Sequence, residues 1–159
     1  MVTKLSLATA VAVSLALPVV ASSAAAAESY TGTIVRVYDG DSLLVNIEGQ
    51  DKDVRLIGVD APETRTTPPE CFAEESKEFL GSLLEEGATV RLKTDREQEN
   101  DHRLFAYVYV DGDMVNLDMV REGYAEERAY GLPYHLRKKF LKAEQLAQKE
   151  ELGLWAECY

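Results

Sequence analysis

Three short runs of β-branched and apolar residues, joined by two glycine turns, constrain this chain's fold more than any other feature. Thr33-Ile34-Val35-Arg36-Val37-Tyr38 runs into Asp39-Gly40; Leu43 to Ile47 follows and ends at Glu48-Gly49-Gln50-Asp51; Val54 to Val59 is the third run. Such runs joined by turns that tolerate positive φ pair as an antiparallel meander. The period then changes. After a loop closed by Pro68-Pro69, the residues Phe72, Phe79, Leu80, Leu83 and Leu84 share one helical face that Gly87 ends. Ala88 to Thr94 and Leu104 to Val110 read as a fourth and a fifth strand, followed by an Asp111-Gly112-Asp113 turn. Asn116 reads as the N-cap of a short helix through Glu122, with Gly123 as its stop. Leu136, Phe140, Ala143 and Ala147 line a last amphipathic helix, ended by Gly153.

The order βββ-α-ββ-α-α carries no internal repeat and no low-complexity linker. Five short strands with a helix between the third and fourth predict an α+β, mainly β protein: a five-stranded OB-fold barrel with about three helices. Barrels of this type bind oligonucleotides on one face.

Residues 1–27 read as a secretory signal rather than as part of the barrel. Lys4 precedes the apolar run Leu5 to Ala21, and Ala21-Ser22-Ser23-Ala24-Ala25-Ala26-Ala27 offers small-x-small cleavage choices. The expected organisation is a signal peptide cleaved near Ala25 to Ala27 and one domain over 28–159; a retained N-terminal anchor is the alternative. The protein is expected to be secreted, extracellular or in a periplasm-type compartment, and to act as a monomer. The chain carries a net charge of −11, and −12 once Lys4 leaves with the signal. A surface so acidic repels nucleic acid unless a cation and a few arginines dominate one site. Two cysteines in an exported chain predict one disulfide between Cys71 and Cys158; two free thiols or an intermolecular bridge are the alternatives. Two Cys and the distant His102 and His135 lack the spacing of a zinc site.

The chemistry concentrates in Asp39-Gly40-Asp41-Ser42, Arg55, Asp60-Ala61-Pro62-Glu63 and Arg103. Alone, each has an ordinary explanation: a hairpin turn, a strand exit, a solvated arginine. Together they are the parts of a metal-assisted phosphodiesterase. Asp41 and Asp60 offer hard oxygens from two segments, the Ala61 carbonyl adds a backbone oxygen, and Ca²⁺ prefers such a set. Glu63 is placed to activate water, and Arg55 and Arg103 to hold the phosphate with fork geometry that lysine lacks. One geometric condition follows. Arg55 and Asp60 have opposite parity, so a regular strand would send them to opposite faces. A break or bulge near Gly58 is required.

Val37-Tyr38-Asp39-Gly40-Asp41-Ser42, Val54 to Glu63 and Arg103-Leu104-Phe105-Ala106-Tyr107-Val108-Tyr109 closely resemble the thermonuclease, staphylococcal nuclease-like, family. Val115-Asn116, Gly123-Tyr124-Ala125 and Gly153-Leu154-Trp155 continue the likeness, which covers roughly Tyr30 to Trp155. The resemblance implies a calcium-dependent nuclease that hydrolyses DNA and RNA to 3′-phosphate products. It implies Asp41 and Asp60 as metal ligands and Arg55, Glu63 and Arg103 as catalytic positions. The chain departs from the family pattern in the short Asp101-His102-Arg103 segment, in Ser42 where Thr is common, and after Ala125. There Tyr130 is the candidate to stack on a base or hold a terminal phosphate, and Arg128 takes the place of a second tyrosine. His102 reads as a loop residue and His135 as structural. The alternative function is a non-catalytic OB-fold nucleic-acid-binding module; a calcium-binding scaffold would leave Arg55 and Arg103 unused.

Overall fold

A computed structural model describes residues 27–95, 99–100, 103–131 and 133–159. Apart from Ala27 the expected signal segment lies outside the described residues, as do Asp101 and His102. Among the described residues no helix is long and apolar enough to cross a membrane.

The meander forms as the turns require. Strand β1 (Ser29–Asp39) pairs with β2 (Ser42–Ile47), and β2 with β3 (Gln50–Leu56), all antiparallel. The alternate residues Leu43, Val45 and Ile34 point inward and are fully buried. Register shifts after Ile34 and Val37 bend the long β1. Its first half can then pair with β5 (Thr89–Lys93) while its second half stays on β2. β5 pairs with β7 (Arg103–Val110), and β7 closes the ring by running parallel to β3, with Val54, Arg55 and Leu56 opposite Leu104, Phe105 and Ala106. The result is the expected five-stranded barrel in mixed order β3-β2-β1-β5-β7. Closure leaves these strands without a free edge.

Among the described residues, four helices surround the barrel. α1 (Ala73–Leu83) buries Ala73, Ser76 and Leu80 against it, while Phe79 stacks on Tyr124 at 3.9 Å. α2 (Val115–Arg121) packs against α3 (Arg137–Lys149), whose buried face is Phe140, Ala143 and Ala147, and α4 (Leu154–Glu157) is a single turn. Leu154 N donates to Gly123 O at 2.8 Å, so the chain end is docked beneath α2. Cys71 and Cys158 are joined, tying the start of α1 to the C-terminus across 87 positions. A loop of that length is worth roughly 4–5 kcal/mol on the chain-entropy account.

Two local readings need correction. The third strand does not run through to Val59. β3 stops at Leu56, and β4 (Gly58–Asp60) leaves in a new direction to pair with β9 (Glu126–Arg128). Glu126-Glu127-Arg128 has no β preference of its own; the β4 backbone supplies the pairing. Asn116 does not cap α2 either. Met114 holds that position, with no side-chain cap. The Asn116 side chain points into the barrel end, accepts from Val108 N at 2.7 Å and donates to Ala106 O and Ile57 O, both at 3.0 Å. Two short pairings, β6 (Glu99–Asn100) and β8 (Asp113–Met114), both on β7, were also outside the sequence pattern.

A buried carboxylate secures the chain beyond Tyr130. Asp95 accepts from Tyr107 Oη at 2.9 Å, from His135 N at 2.9 Å, and from His135 Nδ1 at 2.8 Å. Burial opposes its charge, but the hydrogen bonds from His135 and Tyr107 outweigh it and lower its pKa.

Two outcomes are expected. Asn116→Ala would leave Ile57 O and Val108 N without this partner, while Ala106 O keeps Ile57 N; each orphaned buried group costs about 1–3 kcal/mol. Urea denaturation should therefore show a loss of about 2 kcal/mol or more. For Asp95, a folded pKa below the unfolded value means stability that is full above the unfolded pKa and lost as pH falls through the folded one. Asp95→Asn should flatten the acid limb of the stability–pH curve, and an unchanged limb would reject this role.

Candidate active site

The site lies where β1, β2, β3 and β4 meet at one barrel end. The β1–β2 turn brings Asp39, Asp41 and Ser42 there, β3 contributes Arg55, and β4 contributes Asp60 and leads into Ala61 and Glu63. The parity condition on Arg55 and Asp60 is satisfied in the backbone. Ile57 N donates to Ala106 O at 3.1 Å, Ile57 O is held by Asn116, and Gly58 turns the chain at φ +78°. A Cβ on Gly58 would stand 2.6 Å from Tyr134 Oη, so φ and space both demand glycine.

Arg55 is the hub. It is 8% exposed. Its Nη2 lies 2.5 Å from Asp41 Oδ2 and 3.4 Å from Asp60 Oδ1, and its Nη1 donates to Ser42 Oγ at 3.3 Å. Burial opposes the guanidinium charge, but Asp41 reverses the balance and raises its pKa. Asp41 is as deeply enclosed, at 1% exposure. Its Oδ2 accepts from Ala61 N and its Oδ1 from Ser42 Oγ, both at 2.9 Å. Desolvation dominates here and pushes the Asp41 carboxyl up to about 8, against the opposing pull of Arg55 and the Ala61 N–H.

Burial thus disfavours the Asp41 anion even with Arg55 beside it, and a hard divalent cation would favour that anion. The oxygens that could hold such an ion are those of Asp41, Asp60 and the Ala61 carbonyl. Among the described residues no three His, Cys, Asp or Glu side chains form a ready cage. Two carboxylates with a carbonyl would suit a hard cation that takes oxygen ligands better than they would suit zinc.

The other sequence candidates take varied positions. Glu63 stands two residues beyond Ala61, half-buried, on a loop that closes on itself: its N donates to Glu70 Oε2 at 2.8 Å and its O accepts from Glu70 N at 3.1 Å. Arg103 is exposed at the start of β7, beside the strand that carries Arg55. Tyr130 is 45% exposed, with its hydroxyl turned into the site. Its hydroxyl donates to Asp60 Oδ1 at 2.5 Å and contacts Arg55 Nη2, with the Arg55 guanidinium 5.1 Å from its ring centre.

Three further participants were given no role by sequence reasoning. Arg128 pairs with Asp60 Oδ2 through Nη2 at 2.7 Å and Nε at 2.8 Å. Arg65 Nη2 meets the buried Asp39 Oδ2 at 3.1 Å. Glu70 anchors Glu63. For Arg128 the missing signal was the β4–β9 pairing, which no periodicity announces.

A family model described as "Staphylococcal nuclease homologue" matches residues 53–157. The chain is 37% identical over 131 residues to the thermonuclease of Staphylococcus intermedius, covering 80% of this chain and 76% of that one. It is 32% identical over 133 residues to the thermonuclease of Staphylococcus hyicus, with 82% and 78% covered. The SPbeta prophage-derived endonuclease YokF of Bacillus subtilis (strain 168) is 34% identical over 131 residues, with 78% of this chain and 43% of that longer protein covered. The chain belongs to the staphylococcal nuclease homologue family. That membership supports a nuclease function carried on an OB-type barrel.

Gly58→Ala tests the geometry. Placing Cβ at this φ costs of order 1–3 kcal/mol before any contact with Tyr134 is counted. The variant should lose about 2–4 kcal/mol by thermal or urea unfolding. Its remaining folded fraction should be far less active than the parent, because the turn aligns Arg55 with Asp60. Full specific activity in a destabilised Gly58→Ala protein would show that the turn serves stability alone.

Proposed function

We propose that this protein is an exported, calcium-dependent nuclease that hydrolyses DNA and RNA phosphodiesters to 3′-phosphate products. Residues 1–27 are assigned as a cleaved signal peptide and 28–159 as the nuclease domain. The observation that carries this reading is the buried Arg55 held between Asp41 and Asp60 at one end of the barrel. Such an arrangement of charges inside a protein is costly without a ligand to justify it. A phosphodiester and a cation are the ligands of matching charge.

The assigned roles follow from chemistry. Asp41, Asp60 and the Ala61 carbonyl hold the metal. When bound, Ca²⁺ supplies Lewis-acid stabilisation of the charge that develops on the phosphoryl oxygens. Glu63 receives the proton of the water whose oxygen forms the new bond to phosphorus. Arg55 and Arg103 hold the phosphoryl oxygens and favour the pentacoordinate geometry, in which their donors count for more than in the ground state. The bond to the 5′-oxygen breaks, that oxygen takes up a proton from solvent to leave as the alcohol, and the phosphate stays on the 3′ side. Ser42 keeps the Arg55 fork and the Asp41 carboxylate in register by bonding both.

The rival reading, a non-catalytic module for single strands, accounts for the barrel but assigns no work to Glu63. Its acidic surface also disfavours tight, purely electrostatic binding. Loss of a general base typically costs 10²–10⁴-fold, so Glu63→Gln should lower turnover by roughly that factor on single-stranded DNA, duplex DNA and RNA. A calcium chelator should abolish cleavage, and end-group analysis should find 3′-phosphates. Undiminished cleavage in the chelated parent would remove calcium from the mechanism.

A further inference from the structure

Beside the Arg55 site the barrel end opens into a cavity of about 280 Å³ whose lining includes Tyr38, Ser42, Asp53, Arg65 and Arg103. Ser42 belongs to both places, because its hydroxyl is the one that accepts from Arg55 Nη1. Here Arg65 and Arg103 face Asp53, with the Asp39 carboxylate behind Arg65, so the charges of this wall balance. The groove on the other side of Asp60 is acidic, with Asp60, Glu70 and Glu126 against Arg128. In a chain of net charge −11 this difference directs a polyanion. A strand crossing Arg55 is drawn toward the Arg65–Arg103 side and repelled from the Glu70–Glu126 side.

Arg65 is built for that role. Its side chain is 66% exposed, yet it is not left to wander: the 2%-exposed Asp39 carboxylate holds Nη2 at 3.1 Å. Asp39 is itself fixed by its place in the β1–β2 turn, where Oδ1 accepts from Asp41 N at 3.3 Å. One nitrogen of a rigid, five-donor fork is thus anchored, and the fork retains donors for a second oxyanion. Pre-orienting the guanidinium lowers the ordering cost of gripping a phosphate.

We propose that this cavity is a second phosphate subsite, in which Arg65 holds a phosphodiester of the strand beside the one at Arg55. The proposal rests on the reading of the Arg55 site as a nucleic-acid site. Arg65 is assigned to substrate positioning, not to the reacting atoms.

The test measures binding of a single-stranded oligonucleotide to the full chain carrying Glu63→Gln, with calcium, over a salt series. Loss of one phosphate contact on a single strand lowers the slope of log affinity against log salt by about 0.7. Adding Arg65→Ala should produce that change, and the parent's advantage should narrow about 2.6-fold between 50 and 200 mM salt. Arg91→Ala, which removes a charge from β5 at a separate cavity, should leave the slope as it was. Equal slopes for parent and Arg65→Ala, or equal losses for Arg65→Ala and Arg91→Ala, would overturn the subsite. So would a change confined to calcium affinity, which would assign Arg65 to supporting Asp39 alone. Cleavage by the unsubstituted chain is scored separately. A slope loss in a chain that does not cleave would keep the subsite and discard the nuclease reading.

Discussion

Everything at this barrel end depends on how the chain turns at Ile57 and Gly58. The five-stranded ring ends at Leu56, where β3 lies parallel to β7. One residue later Ile57 N is still held by Ala106 O, so the chain cannot leave the barrel before that point. Gly58 then takes a positive φ and sends β4 across to β9. Arg55 precedes the turn and Asp60 follows it, and only that change of direction lets their side chains meet. Asn116 fastens the junction from below by bonding Ile57 O, Ala106 O and Val108 N together. A buried amide with three partners is well suited to this, since a group left unmade there would cost more than the bonds gain.

The electrostatics of the site follow from its burial. Asp39, Asp41 and Arg55 are all under a tenth exposed, and they are held by backbone turns rather than by flexible side-chain encounters. Arg55 sits against the buried Asp41, and the neighbouring acids are paired outward: Asp39 engages Arg65, and Asp60 engages Arg128 and Tyr130. Inner groups set the geometry, and outer arginines mediate between the site and an acidic surface. The same arrangement resolves the conflict between a net charge of −11 and an anionic substrate. What matters to a phosphate is the field at the cavity mouth, not the average over the molecule.

Much of this was legible in the sequence, and the parts that were not share a cause. The five barrel strands, α1 and α3 follow from alternation, helical period and glycine stops, because each is stabilised chiefly by its own apolar face. The need for a break near Gly58 followed from parity alone. β9 was invisible because Glu126-Glu127-Arg128 is a strand only through its partner β4. Asn116 was misread because a polar residue at a helix start has two uses, and the choice between capping and bracing depends on what lies beneath. Arg128 and Arg65 could not be placed without the loops that carry them. Long-range pairings decide these cases, and a local pattern carries no record of them.

Glu63 shows how such long-range ties reach the chemistry. It sits on a loop outside the barrel, where neither strand pairing nor core packing fixes it. Its backbone is instead clasped by Glu70 at both N and O. The next residue, Cys71, is bonded to Cys158, and the C-terminal turn is docked in turn by Leu154 N on Gly123 O. The half-buried acid assigned to the water is thus steadied through a relay that starts at the far end of the chain. In the proposed mechanism the base would need holding as closely as the groups on the barrel, since misplacement by about 1 Å can cost 10²-fold. The disulfide and Glu70 are the ties through which the loop of Glu63 would be held to that tolerance.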